Sequence, residues 1–143
     1  MIVSTKGRYA LRGMIDLAEH PTEGFLPLRE IAKRQEISEK YLEIILKMLV
    51  RAQLVVGLRG KGGGYRLSRA PEQYTVWEIL RCTEDSLSSV ACLDHPENVC
   101  PRAAECRTLP MWEKLDGLLR DFFGSITVAD LMKDGRTEND YVI

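Results

Sequence analysis

LVVGLRGKGGGYRL, Leu54 to Leu67, is the stretch that decides the fold. Its ends, Leu54-Val55-Val56 and Tyr65-Arg66-Leu67, read as short strands flanking Gly57-Leu58-Arg59-Gly60-Lys61-Gly62-Gly63-Gly64. Glycines permit the positive φ angles and close backbone approach that a hairpin tip against DNA requires. Arg59 and Lys61 place positive charge at that tip, suited to a phosphate or a narrow minor groove. A nucleotide-cradling loop would need glycine, four residues, then Gly-Lys-Ser/Thr. Here Gly62 is followed by Gly63 and Gly64, so that pattern fails and the segment reads as a wing.

Upstream of the wing the apolar residues recur at helical spacing. Thr5 to Glu19 forms a first helix, with Tyr9, Leu11, Met14, Ile15, Leu17 and Ala18 apolar and Arg8, Arg12, Asp16 and Glu19 on a polar stripe. His20-Pro21 ends it, and Pro21-Thr22-Glu23-Gly24 makes a turn. A short helix, Leu28 to Arg34, leads through Gln35-Glu36-Ile37 to Ser38, an N-cap for a third helix. Leu42, Ile45, Leu46 and Leu49 then fall at i, i+3, i+4, i+7 on one face, while Glu39, Lys40, Glu43 and Lys47 line the other. Taken alone, that polar face is either solvated or a reader of the major groove. A helix-turn-helix followed by a wing favours the second reading.

Downstream, Pro71 opens a linker and Thr75 caps a short helix running from Val76 to about Cys82. Thr83 to Arg107 lacks sustained periodicity and reads as a loop. From Leu109 the apolar pattern resumes at Leu109, Trp112, Leu115, Leu119, Phe122 and Ile126, widened by Leu118 and Phe123. This helix reaches about Gly124, and its stripe is broader than one neighbour needs, which favours pairing with a second copy over folding back onto the core of its own protomer. A last helix, Val128 to Lys133, follows the cap Thr127, and a charged tail begins beyond Gly135. The fold class expected is mainly α with a small β-hairpin wing: a winged helix-turn-helix plus a long C-terminal dimerisation helix. The expected division is 1–70 for DNA binding, 71–107 for the linker helix and cysteine-bearing loop, and 108–143 for the dimerisation helix and tail.

The chain has 143 residues and a net charge of −1, which conceals an asymmetry. Met1 to Arg69 carries 13 Lys and Arg against 7 Asp and Glu, net +6, and the remainder is net −7. A basic half on a near-neutral chain is the electrostatic footprint of a nucleic-acid binder. No run approaches the roughly 18 consecutive apolar residues of a membrane span. Met1 to Tyr9 is short, basic and polar, without a signal-peptide core, so a cytoplasmic setting is expected.

That setting bears on the cysteines. Cys92, Cys100 and Cys106 sit within one polar loop, and thiols in a reducing compartment favour metal binding or redox sensing over disulfides. Soft thiolates select zinc, copper(I) or iron–sulfur clusters. Three thiolates with His95 would also satisfy tetrahedral zinc. Cys82, on the preceding helix, reads as a small buried hydrophobe, and His20 as a helix-end residue rather than a ligand. A thiol oxidoreductase would want a Cys-x-x-Cys or a nearby imidazole base. The chain has no such motif, and its histidines are His20 and His95, so no catalytic constellation assembles.

Three stretches carry a family resemblance: Ser4-Thr5-Lys6-Gly7-Arg8-Tyr9-Ala10; Ile37-Ser38 with Tyr41-Leu42-Glu43; and Arg59-Gly60 with Gly62-Gly63-Gly64-Tyr65. Together they resemble the Rrf-two superfamily of bacterial winged-helix repressors over roughly Met1 to Met132. With Cys92, Cys100 and Cys106 between wing and long helix, the chain is most similar to the IscR-type iron–sulfur cluster regulators. The resemblance implies a homodimer on pseudo-palindromic promoter DNA, held together by Leu109 to Gly124. It places Glu43 where IscR-type proteins read bases, a carboxylate suited to cytosine N4, with Lys40 and Tyr41 flanking the groove. Arg59 takes the wing position expected to enter the minor groove.

The resemblance also implies a cluster, 2Fe–2S or 4Fe–4S, on the three cysteines; the thiolate chemistry alone leaves zinc as the alternative metal. The IscR-type fourth ligand, a histidine three residues after the last cysteine, is here Leu109. The partner-chain carboxylate of the nitric-oxide-sensing relatives is here Arg8. Seven residues separate Cys92 from Cys100, where the type members have five. His95, Asp94, Glu97, Glu105 or a small molecule remain as fourth ligands. A second functional class within the superfamily is a repressor of cysteine metabolism that lacks the triad and senses through a partner enzyme. The winged helix and the ending Tyr141-Val142-Ile143 are compatible with it.

Overall fold

The computed structural model describes residues 3–133, and the charged tail beyond Gly135 lies outside them. Six helices and one hairpin follow in the order α1 (Thr5–Glu19), α2 (Leu28–Gln35), α3 (Glu39–Arg51), β1 (Val55–Leu58), β2 (Gly64–Leu67), α4 (Val76–Thr83), α5 (Leu109–Ser125) and α6 (Val128–Leu131). The fold is mainly helical with a two-stranded wing, as expected. α4 and α5 each extend one residue past their expected ends, while α6 stops two residues short of Lys133.

α1 starts where Ser4 Oγ accepts from the Gly7 N–H at 3.1 Å, which satisfies one of the free donors of a helix start. It ends at His20, whose N–H closes onto the Asp16 carbonyl at 3.1 Å before Pro21. Ala10, Met14, Leu17 and Ala18 are buried, and α1 packs against α4, α3, α6 and α2. Asp16 does not lie on an outward polar stripe: it is 1 % exposed. Its carboxylate accepts from Arg34 Nε at 3.0 Å, Arg34 Nη2 at 2.7 Å and Gln35 Nε2 at 2.9 Å. Arg12 joins the same junction, donating to the Gln35 side chain and carbonyl. The polar residues of α1 thus pin α2, because a buried carboxylate is tolerated only when paired and hydrogen-bonded.

α2 closes at Glu36, which takes the left-handed conformation (φ 55°, ψ 45°) and turns the chain sharply into Ile37-Ser38. Ser38 Oγ then caps α3 through the Tyr41 N–H at 3.2 Å. Leu42, Ile45, Leu46 and Leu49 are fully buried, the stripe expected from their spacing. Antiparallel pairing runs from Val55 opposite Leu67 to Leu58 opposite Gly64. Tyr65 also exchanges two hydrogen bonds of 2.8 Å with Leu26, so the wing is fastened along its second edge to the turn before α2.

Tyr74 anchors the return from the wing. Its ring is fully buried; its hydroxyl donates to the Leu54 carbonyl at 2.8 Å and accepts from the Ser68 and Arg69 N–H groups. The α5–α6 junction comes back to this point, with Val76 N–H on the Ile126 carbonyl and Val128 N–H on the Tyr74 carbonyl. Tyr74, Ile79 and Val128 therefore belong to the same buried cluster as the helix-turn-helix core. Residues 84–108 are non-helical apart from single 3₁₀ turns at Ala91–Leu93 and Ala103–Glu105.

Candidate nucleic-acid interface and cysteine segment

The outer face of α3 carries Lys40, Glu43 and Lys47, with Ser38 exposed at its start. Ser38 is committed to the helix cap, whereas Lys40 is exposed. Tyr41 lies half-buried, its ring edge-on to Tyr9 with centroids 5.8 Å apart. Glu43 accepts from Lys47 Nζ at 2.8 Å, one turn along. That hydrogen bond holds the Glu43 carboxyl below its ordinary range, helped by the charges of Lys47 and, from the wing, Arg59. Lys47 of α3 and Arg59 of the wing border one cleft, so the two expected DNA-facing elements look onto one space.

That space is a cleft lined by Lys47, Val50, Arg51, Gly57, Leu58, Arg59 and Tyr65. Gly57 makes room for the Tyr65 ring, because a Cβ there would stand 3.3 Å from it. Burial pushes the Tyr65 hydroxyl up, and the Glu43 charge adds to the effect. Arg51 and Tyr65 were not among the residues expected from sequence. Arg51 closes the last turn of α3, seven residues after Ile44, and a helical count carried one turn past Lys47 reaches it. Lys61 is exposed on the tip of the wing, between Gly60 and Gly62, both at positive φ.

The cysteine segment is organised differently. Cys92, Cys100 and Cys106 are free thiols, each half-buried, on the connection between α4 and α5. Among the described residues no three His, Cys, Asp or Glu side chains converge as a metal site. His95, Glu97 and Glu105 are exposed, and Asp94 is engaged by the Ser86 hydroxyl. The donors fit a thiolate-bound group in kind, since all three thiols are unbridged and their segment holds nothing longer than single 3₁₀ turns. Their present placement requires the segment to close around such a group. A hydrogen bond with Thr108 lowers the Cys106 thiol toward the thiolate form. Burial raises Cys82, consistent with its packing against the core.

α5 exposes Met111 (55 %), Leu115 (37 %), Leu118 (59 %) and Phe122 (52 %), at i, i+4, i+7 and i+11. Leu109, Trp112, Leu119 and Phe123, on the opposite side of the helix, and Ile126 just past its end are half-buried. The broad stripe of the sequence thus divides into an inner and an outer row. No helix of the described residues is long and apolar enough to cross a membrane.

Residues 3–134 match the model of the Rrf2 family, described as an iron-dependent transcriptional regulator. The HTH-type transcriptional regulator IscR of Aliivibrio salmonicida is 36% identical over 138 residues, covering 96% of this chain and 81% of that protein. The structure of T. potens IscR superposes with a TM-score of 0.71 at 37% identity, covering 100% of this chain and 93% of that one. The structure of CymR, the global cysteine regulator of B. subtilis, gives a TM-score of 0.71 at 35% identity, covering 92% and 95%. These relatives regulate transcription and do not belong to an enzyme family. With its winged helix, its basic N-terminal half and these matches along nearly its whole length, the chain belongs to the Rrf2 family of transcriptional regulators.

Proposed function

We propose that this chain acts as a cytoplasmic homodimer whose choice of promoter DNA is set by an iron–sulfur cluster on Cys92, Cys100 and Cys106. The observation that carries the reading is the placement of three unbridged, half-buried thiols on the 84–108 connection, between the helix-turn-helix core and the outward apolar row of α5. Similarity to proteins named IscR supports it. Lys40, Tyr41, Glu43 and Lys47 face the major groove, Arg59 and Lys61 the backbone or minor groove, and Ser38 holds the turn that presents them. Glu43 accepts from a cytosine amino group and leaves Lys47 free for a phosphate. Copies paired through the outer row of α5 set the spacing of the two recognition helices. Half-sites lie about one helical turn, roughly 34 Å, apart, so small changes in that spacing alter which sites fit.

When bound, the cluster would supply a redox-active, oxidant-labile group, held by Cys92, Cys100 and Cys106. The protein's part is to hold it with three thiolates and to couple loop order to the spacing of α3. Leu109 replaces the expected histidine, and His95 is the imidazole available on the same segment. Zinc, the alternative metal for three thiolates, has no support among the relatives.

Visible and Mössbauer spectra of protein purified without oxygen test the reading. An iron–sulfur spectrum that disappears on replacing Cys92, Cys100 and Cys106 with Ala is expected, with binding to at least one class of DNA site preserved. Equal DNA selectivity of loaded and metal-free protein would overturn the sensing role. A second reading, a cysteine-metabolism repressor sensing through a partner protein, is supported by the similarity to CymR. An anaerobically colourless, iron-free protein would select it.

A further inference from the structure

Glu84 opens the non-helical segment that bears the cysteines, its N–H closing α4 on the Leu80 carbonyl at 2.9 Å. Its side chain does not point into that segment. Oε1 accepts from the Ser4 N–H at 3.0 Å and from the Ser4 hydroxyl at 2.9 Å, across eighty positions of sequence. The Ser4 hydroxyl in turn accepts from Gly7, so one oxygen caps α1 and holds the carboxylate at once. A Cβ on Gly7 would overlap Glu84 Oε1, so glycine is what lets the carboxylate lie on the first turn of α1.

From that turn the contacts continue to the DNA-facing helix. Tyr9, one turn further along α1, meets Tyr41 edge to face, and the Tyr41 N–H is the one that Ser38 caps. Thr83, Glu84 and Asp85 line a single groove with the cap Ser4, with Thr5 and Lys6 of α1 and with Tyr41 and Ile44 of α3. Ile44 is 50 % exposed there. The start of the cysteine segment, the cap of α1 and the N-terminal turns of α3 therefore share one surface.

We propose that Glu84 is the positioning residue that ties the cysteine-bearing segment to the DNA-reading turn of α3, acting through Ser4, Gly7 and the Tyr9–Tyr41 contact. The proposal rests on the regulatory reading of that segment. It names the mechanical link which that reading leaves open. With Glu84 docked, the first turn of α1 is fixed and Tyr9 holds Tyr41 in place. A rearrangement of the segment that lifts Glu84 leaves the Ser4 N–H without its acceptor. The turn of α1 beneath Tyr9 then loosens. Any ligand of the segment biases α3 only by its different affinity for the docked and lifted forms.

Three variants of the metal-free full chain test this. Glu84→Ala removes the acceptor, and Gly7→Ala displaces it while leaving Glu84 present. Alanine is the better helix former, so a loss in Gly7→Ala does not arise from helix propensity. Glu84→Gln keeps a carbonyl oxygen for both donors and serves as the conservative rescue. The readouts are amide exchange at Arg8, Tyr41 and Leu42, with Leu26 and Tyr65 on the wing edge as controls. Affinity is read on a duplex that the wild-type chain selects from a randomised pool.

Glu84→Ala and Gly7→Ala are each expected to speed exchange at all three positions about tenfold and to weaken the duplex by a similar factor. The double variant should be no worse than the weaker single one, Glu84→Gln should resemble wild type, and the wing amides should not change. Exchange confined to Arg8, with Tyr41 and Leu42 unaltered, would reduce Glu84 to a local cap and overturn the proposal. Losses that multiply in the double variant would overturn it too. These measurements need no cluster. Failure of the regulatory reading would appear instead as identical DNA selectivity of loaded and metal-free wild type.

Discussion

Asp16 shows how a single side chain can change meaning between sequence and structure. By helical count it falls beside Arg12 and Glu19, and a carboxylate there reads as solvated. The residues that enclose it, Arg34 and Gln35, come from the next helix, and no local pattern announces them. The pair is asymmetric: Asp16 is wholly enclosed, while the Arg34 side chain keeps a third of its exposure. Arg34→Met therefore strands a buried carboxylate, whereas Asp16→Ala leaves a guanidinium that water can reach. We expect Arg34→Met to cost about 3 kcal/mol and Asp16→Ala clearly less, read as midpoints of urea unfolding. The reverse order would contradict the burial. The cysteines separate at this scale as well. Thr108 lowers the Cys106 thiol and burial raises Cys82, so in metal-free protein the Cys106 thiolate forms at lower pH than an ordinary thiol and that of Cys82 at higher pH. Iodoacetamide near neutral pH should modify Cys106 well before Cys82, as peptide mass mapping would show. Thr108→Val should slow Cys106 specifically.

At the scale of elements, the wing was legible because its glycines and basic residues are adjacent in sequence. What they do individually was not. Gly60 and Gly62 have positive φ with open space around them, as a turn demands. Gly64, at φ 148°, is constrained from outside the hairpin: a Cβ there would overlap the Leu26 carbonyl. It is the price of the Leu26–Tyr65 pairing, which joins segments some forty residues apart and so leaves no periodic trace. Gly64→Ala should cost about 1–3 kcal/mol through backbone strain. It should also release the wing from the turn before α2, weakening DNA binding while far-UV circular dichroism stays helical. Gly62→Ala, with open space around it, should disturb DNA binding less. The helix-turn-helix was read almost to the residue, since caps and apolar spacing are local. The cysteine segment lacks both periodicity and caps, so sequence could name its thiols but not their arrangement.

At the scale of the whole molecule, the sequence reading predicts the long helix as an interface but merges its two apolar rows into one. Leu115 and Phe122 read as partners of Trp112, Leu119 and Ile126, yet the structure turns the first two outward with Met111 and Leu118. The division follows from α4, which covers one flank of α5 and leaves the other without a partner among the described residues. Apolar side chains repeating at four-, three- and four-residue steps form a seam that a second, two-fold-related α5 would cover. The two classes of substitution should then behave differently. Phe123→Ala or Trp112→Ala, on the inner row, should lower the unfolding midpoint of each protomer. Leu118→Glu or Phe122→Glu, on the outer row, should leave helical content intact and convert the protein to a monomer in sedimentation. The monomer should retain the slope of affinity against salt expected for one basic half, but bind paired half-sites no better than a single one, because each recognition helix then docks alone. If Leu118→Glu remains dimeric and still discriminates paired from single half-sites, the interface lies elsewhere, and the spacing of α3 is not set by α5.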